Sequence, residues 1–105
     1  MMRGPDAAVL LGRALSRSAA HLGLEIALEQ HQSTPWHSAT FSGHRHAMTI
    51  TASPGGAAAS AWLAAISSLD VPLPGELLAD LKVAQQVPGD GHCQARIEAL
   101  TVECA

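Results

Sequence analysis

Residues 35–52, PWHSATFSGHRHAMTITA, read as a β-hairpin whose two arms agree about which side faces a core. A two-residue loop at Gly43-His44 sets Phe41 opposite His46, Ala39 opposite Met48 and His37 opposite Ile50. Side chains alternate along a strand, so Trp36, Ser38, Thr40, Ala47, Thr49 and Thr51 fall on the other, more polar face. Upstream, Leu22, Leu24, Ile26 and Leu28 alternate with Gly23, Glu25, Ala27 and Glu29, the pattern of a half-buried strand. Ser33-Thr34-Pro35 is expected to end that strand before the hairpin begins.

Two helices flank this unit. Pro5 and Asp6 suit a first turn, and Leu11, Leu15 and Ala8 share a face, so residues 5–20 are expected to be helical. Ser53-Pro54 suits a second helix start, with an apolar stripe at Ala59, Trp62, Leu63, Ile66 and Leu69. Val71-Pro72-Leu73-Pro74-Gly75 then forbids regular structure.

A second hairpin follows. Ala79, Leu81 and Val83 alternate with Asp80 and Lys82, and Ala95 and Ile97 with Arg96 and Glu98. A loop over residues 88–92 pairs Val83 with Ile97 and Lys82 with Glu98. Slipping by two would oppose Lys82 to Arg96 and Asp80 to Glu98, which like-charge repulsion disfavours. The expectation is one two-layer α+β domain over 1–105, order α-βββ-α-ββ, with a mainly antiparallel five-stranded sheet packed on helices and a flexible stretch at 1–4.

With Ile97 and Ala99 facing the core, Leu78, Leu100, Val102 and Cys104 point to the opposite face. Apolar residues on both faces imply cover on both. The candidates for that cover are the N-terminal helix and a second subunit, and a β-bulge near Ala99 would remove the need. Leu78, Leu100 and Val102 are therefore the expected interface of a homodimer.

Composition limits the functions available. The 105 residues include 48% apolar and 14% charged side chains, which describes a folded domain able to bury roughly two-thirds of its unfolded surface. The formal charge is −3, with a balance of +1 over residues 1–53 and −4 over 54–105. Neither half is basic enough to predict phosphate-backbone binding, and Trp36, Phe41 and Trp62 offer almost no base-stacking platform, so no nucleic-acid partner is expected. No apolar run reaches the ~18 residues of a membrane span, and Gly12 and Arg13 interrupt the early apolar patch, so no membrane partner is expected and the expected address is cytoplasmic.

Six histidines invite a metal site. In this register His37 and His46 share a face but sit four rungs apart, about 13 Å, whereas ligands lie within ~2.1 Å of one ion. His31 belongs to the outward set with Glu29. No metal or cofactor is expected. His37, His44, Arg45 and His46 remain candidate ligand-binding residues, with Gly43 allowing a small anionic ligand close to the backbone at the turn. Cys93 and Cys104, eleven residues apart on one strand, would be about 36 Å apart, against the ~7 Å a disulfide allows, so both read as free thiols. No nucleophile elbow, phosphate loop or carboxylate pair points to catalysis, and no catalytic residue is assigned. The leading expectation is a homodimerising module that binds protein or a small ligand. The alternatives are an enzyme or metal-dependent factor using the histidines of the 37–46 hairpin, and an anion sensor at the 43–46 turn.

Overall fold

A computed structural model describes residues 7–103. The expected flexible stretch at 1–4, the Pro5-Asp6 helix start and Cys104 lie outside the described residues.

Helix α1 (Ala7–Ala20) buries Ala7, Leu11, Leu15 and Ala19 along one face. It ends as its residues require. Gly23, at φ 73°, adopts the left-handed conformation that a side chain resists. Its N–H bonds the Ala20 carbonyl while the Leu24 N–H bonds Ala19, which satisfies carbonyls the last turn leaves unpaired. Leu24 then enters the core at 2% exposure.

The chain continues as β1 (Glu25–His37), β2 (Ser42–Ser53), α2 (Ala57–Ala65), one 3-10 turn (Ile66–Ser68), β3 (Glu76–Pro88) and β4 (Cys93–Glu103). Among the described residues the strands form one antiparallel sheet, ordered β1-β2-β4-β3. The element order is thus α-ββ-α-ββ with four strands, not α-βββ-α-ββ with five. The two segments expected on either side of Ser33-Thr34-Pro35 are one strand. Pro35 lacks an N–H to give a ladder, but β1 is an edge strand and has a side that needs none.

The first hairpin turns at residues 38–41, not at Gly43-His44. Ser38 makes the turn: its N–H donates to the Phe41 carbonyl at 2.7 Å, and its Oγ accepts the Phe41 and Thr40 N–H groups at 2.9 and 3.3 Å. His37 therefore pairs with Ser42 and Ser33 with His46. The displacement is even in residue count, so β2 keeps its inward set and Met48 and Ile50 are buried as expected, but Ala39 and Phe41 fall in the turn and are exposed. A bulge between Leu28 and Gln30 does change parity on β1. It turns His31 inward, opposite Met48, where alternation from Glu29 had placed it in solvent.

The second hairpin keeps its expected register, with Val83 opposite Ile97 and Lys82 opposite Glu98. A bulge between Leu78 and Asp80 reverses the parity of the start of β3. Leu78 consequently faces the helices and packs on the core, and Leu77 faces away at 64% exposure. That corrects the expected interface at Leu78. Strand β4 pairs with β2 without a bulge from Cys93 to Val102, so Leu100 and Val102 do point away from the helices.

Both helices share one core with one face of the sheet: Leu11, Leu15, Trp62, Leu63 and Ile66 cluster with Met48, Ile50, Leu81, Ala95 and Ile97. Trp62 Nε1 donates to Ser18 Oγ at 3.1 Å, tying α2 to α1. The start of α2 differs from expectation. Ser53 pairs with Glu25 and stays in the sheet, the Ser53-Pro54 peptide is cis, and the helix begins after Gly56 at φ 81° without a side-chain cap. Among the described residues no helix is long and apolar enough to cross a membrane.

Candidate functional site

Strand alternation separates three consecutive candidate residues. His44 and His46 face the helices, and Arg45 faces the opposite side. His37 sits at the exposed end of β1 opposite Ser42 and joins neither group. Residues 43–46 lie inside β2, so the chain has no turn there to wrap an anion.

On the helix side His46 is 2% exposed and Thr101 is fully buried. Thr101 Oγ donates to Glu76 Oε1 at 2.7 Å and lies 3.5 Å from His46 Nε2. His46 Nδ1 is 3.1 Å from His31 Nε2, and His44 Nδ1 is 3.1 Å from Glu76 Oε1. Thr101 has one proton, and its short contact with the carboxylate takes it. The His46 contact is then an N–H donated to Thr101, and one hydrogen bond joins His46 Nδ1 to His31 Nε2. Hydrogen-bond contacts therefore link His31, His46, Thr101 and Glu76 in a row, and His44 donates to the same carboxylate oxygen.

Burial pushes the Glu76 carboxyl up, but the hydrogen bonds from Thr101 and His44, with the charges of His44 and His46, outweigh it and hold Glu76 below its ordinary value. Opposite Glu76 in the ladder, Glu103 takes a separate donor, Ser42 Oγ, at 2.7 Å. Two facing carboxylates are thus satisfied by different partners. A small cavity of about 90 Å³ opens beside the cluster, lined by Ala7, Ala8, Ser33, His44, His46 and Glu76. Among the described residues no three His, Cys, Asp or Glu side chains group so as to hold a metal ion. The cluster is a row of hydrogen-bonded side chains ending on a carboxylate, and a His–carboxylate pair can act as an acid or base.

The opposite face of the sheet carries no helix among the described residues. Four residues run across the strands in each row. Trp36, Gly43, Val102 and Leu77 form one; Thr34, Arg45, Leu100 and Asp80 the next; Gln32, Ala47, Glu98 and Lys82 the third. The first row is apolar. Trp36 lies over Gly43, with its Nε1 donating to the Thr101 carbonyl on β4 at 3.2 Å. Gly43 permits this crowding: a Cβ there would meet the Thr101 carbonyl oxygen at 1.9 Å. The second and third rows line a groove of about 340 Å³. Lys82 and Arg96 lie 3.6 and 3.9 Å from Glu98, while neither Arg45 nor Asp80 has an ion-pair partner among the described residues.

His31, Glu76, Thr101 and Leu77 were not among the expected site residues. Two were within reach of the sequence. Parity from Ile97 and Ala99 puts Thr101 inward, and any carboxylate paired near it would be held by its hydroxyl. His31 and Leu77 depend on bulges, and alternation cannot show those.

Among the described residues the architecture is a two-layer α+β arrangement with two helices on one face of a four-stranded antiparallel sheet and no helix on the other. Compared with known protein families, with curated proteins and with solved structures, the chain matches none.

Proposed function

We propose that this chain is a homodimerising module joined through the helix-free face of its sheet, and that it acts by assembly rather than by catalysis. The observation that carries the reading is the apolar row Trp36, Val102 and Leu77 beside Leu100 on a face that no helix of the described residues covers, with Leu77 64% exposed. Sheets with such faces bury them against a second layer. Cytoplasmic residence fits this reading, because Cys93 is a buried free thiol that pairs with nothing in the chain's described part. Sedimentation equilibrium tests it. Wild type is expected to be a dimer at micromolar concentration and Leu100→Asp a folded monomer. A monomeric wild type contradicts the reading.

A second reading is favoured by the His44–Glu76 pair: acid–base chemistry with His44 as the working group, in an enzyme or factor that uses the hairpin histidines. Restoring variants to cells that lack the gene separates the two. Assembly predicts that His44→Gln restores function and Leu100→Asp does not, and catalysis predicts the reverse.

A further inference from the structure

We infer that the second copy docks about a two-fold axis running along β4, so that Arg45 of each copy meets Asp80 of the other and Leu100 meets its own symmetry mate. This geometry rests on the assembly reading above. It follows from the order of charge across one row of the sheet. Leu100 is centred, Arg45 stands one strand away on β2, and Asp80 stands one strand away on β3. Strand spacing places each about 4.8 Å to the side of Leu100. The row therefore reads cation, apolar, anion.

A face that binds its own copy must be complementary to itself under a two-fold rotation. Rotation about an axis along β4 exchanges the two sides of the row, so cation falls on anion twice. Rotation about an axis along the row itself would stack Arg45 on Arg45 and Asp80 on Asp80. Only the first arrangement is attractive. Both side chains are exposed and lack ion-pair partners among the described residues, so each is available to the other copy.

The neighbouring rows agree with this axis. Val102 falls on Val102, and Leu77 of one copy meets the Trp36 ring where it lies over Gly43 of the other. Glu98 and Arg96, both outward on β4, each fall on their own symmetry mate, and the Lys82 and Arg96 cations 3.6 and 3.9 Å from the Glu98 carboxylate offset these meetings. Packed sheets cross at about 30°, which moves the Glu98 pair off the centre of contact. With the axis on β4 the overlapping strands are β2, β4 and β3, about 14 Å across and 36 Å along, on the order of 500 Å² per copy. Both copies together then bury about the 1,000 Å² that a specific interface needs.

The test is sedimentation equilibrium on the full chain as wild type, Arg45→Asp, Asp80→Arg and the double swap. Both positions are exposed, so the variants are expected to fold, and thermal unfolding midpoints check this. Each single reversal is expected to weaken the dimer about tenfold or more, because like charges meet twice, and the double swap to return to within about threefold of wild type. Unchanged singles, or a double swap no better than the singles, overturn the pairing while a persisting wild-type dimer keeps the assembly reading. A wild type that stays monomeric at about 100 μM overturns both and leaves the face to another occupant.

Discussion

His31 Nε2 stands 3.1 Å from His46 Nδ1, with the two rings nearly perpendicular and their centroids 5.3 Å apart. The contact exists because a single bulged residue at Glu29 turns His31 inward. It joins a half-buried imidazole on the edge strand to a buried hydroxyl and carboxylate on the far side of the sheet. Thr101 is the hinge of that row of hydrogen bonds.

Thr101→Val keeps the shape and deletes the hydroxyl. It leaves the Glu76 carboxylate short of one donor and His46 Nε2 without its acceptor in the row. Loss of about 1–3 kcal/mol in urea unfolding is expected, and Thr101→Ser is expected to retain most of the stability.

The depressed Glu76 carboxyl also predicts the acid limb. A group held lower in the folded state stabilises above its unfolded value, here the ordinary 4.5, and that contribution is lost as pH falls through the folded value. Wild type is expected to lose stability below about pH 4.5 more steeply than Glu76→Gln. Parallel pH–stability curves for the two proteins would contradict the arrangement around Glu76.

Leu77 and Leu78 are adjacent and answer to opposite faces. Leu78→Asp puts a charge against the core and is expected to unfold or severely weaken the monomer. Leu77→Asp is expected to change the monomer's stability by no more than about 0.5 kcal/mol, because its side chain is exposed, while weakening the dimer. Denaturant curves combined with sedimentation distinguish these effects. Equal loss of fold in both variants would contradict the bulge at Ala79.

Gly43→Ala drives a methyl into the Thr101 carbonyl. The neighbour is backbone and can yield only by moving β4, so a loss of roughly 1–3 kcal/mol is expected in thermal or urea unfolding.

What alternation could show, the sequence showed. Met48 and Ile50 inward, Leu100 and Val102 outward, and Lys82 opposite Glu98 all follow from a period of two and from charge. The hairpin apex did not follow, because Gly43 looked like a turn glycine. It is there instead to let β2 lie against Thr101, and Ser38 supplies the turn. The fifth strand was an effect of reading Pro35 as a break when it lies in an edge strand. Leu78 and His31 were misplaced because each follows or precedes an inserted residue that leaves no compositional trace. The hydrogen-bonded row stayed hidden for the same reason: it needs His31 inward, and it needs Glu76 to be strand rather than loop.

Solvent access to the helix-free face is the most direct measurement. A water-soluble paramagnet broadens methyl signals that meet solvent, and Leu22, 49% exposed in the turn after α1, serves as the accessible reference. At concentrations where the chain is a dimer, the methyls of Leu77, Leu100 and Val102 are expected to stay sharp while Leu22 broadens, and Leu77 is expected to broaden on dilution. Leu77 and Leu100 broadening as fully as Leu22 at every concentration would mean that no second copy covers the sheet.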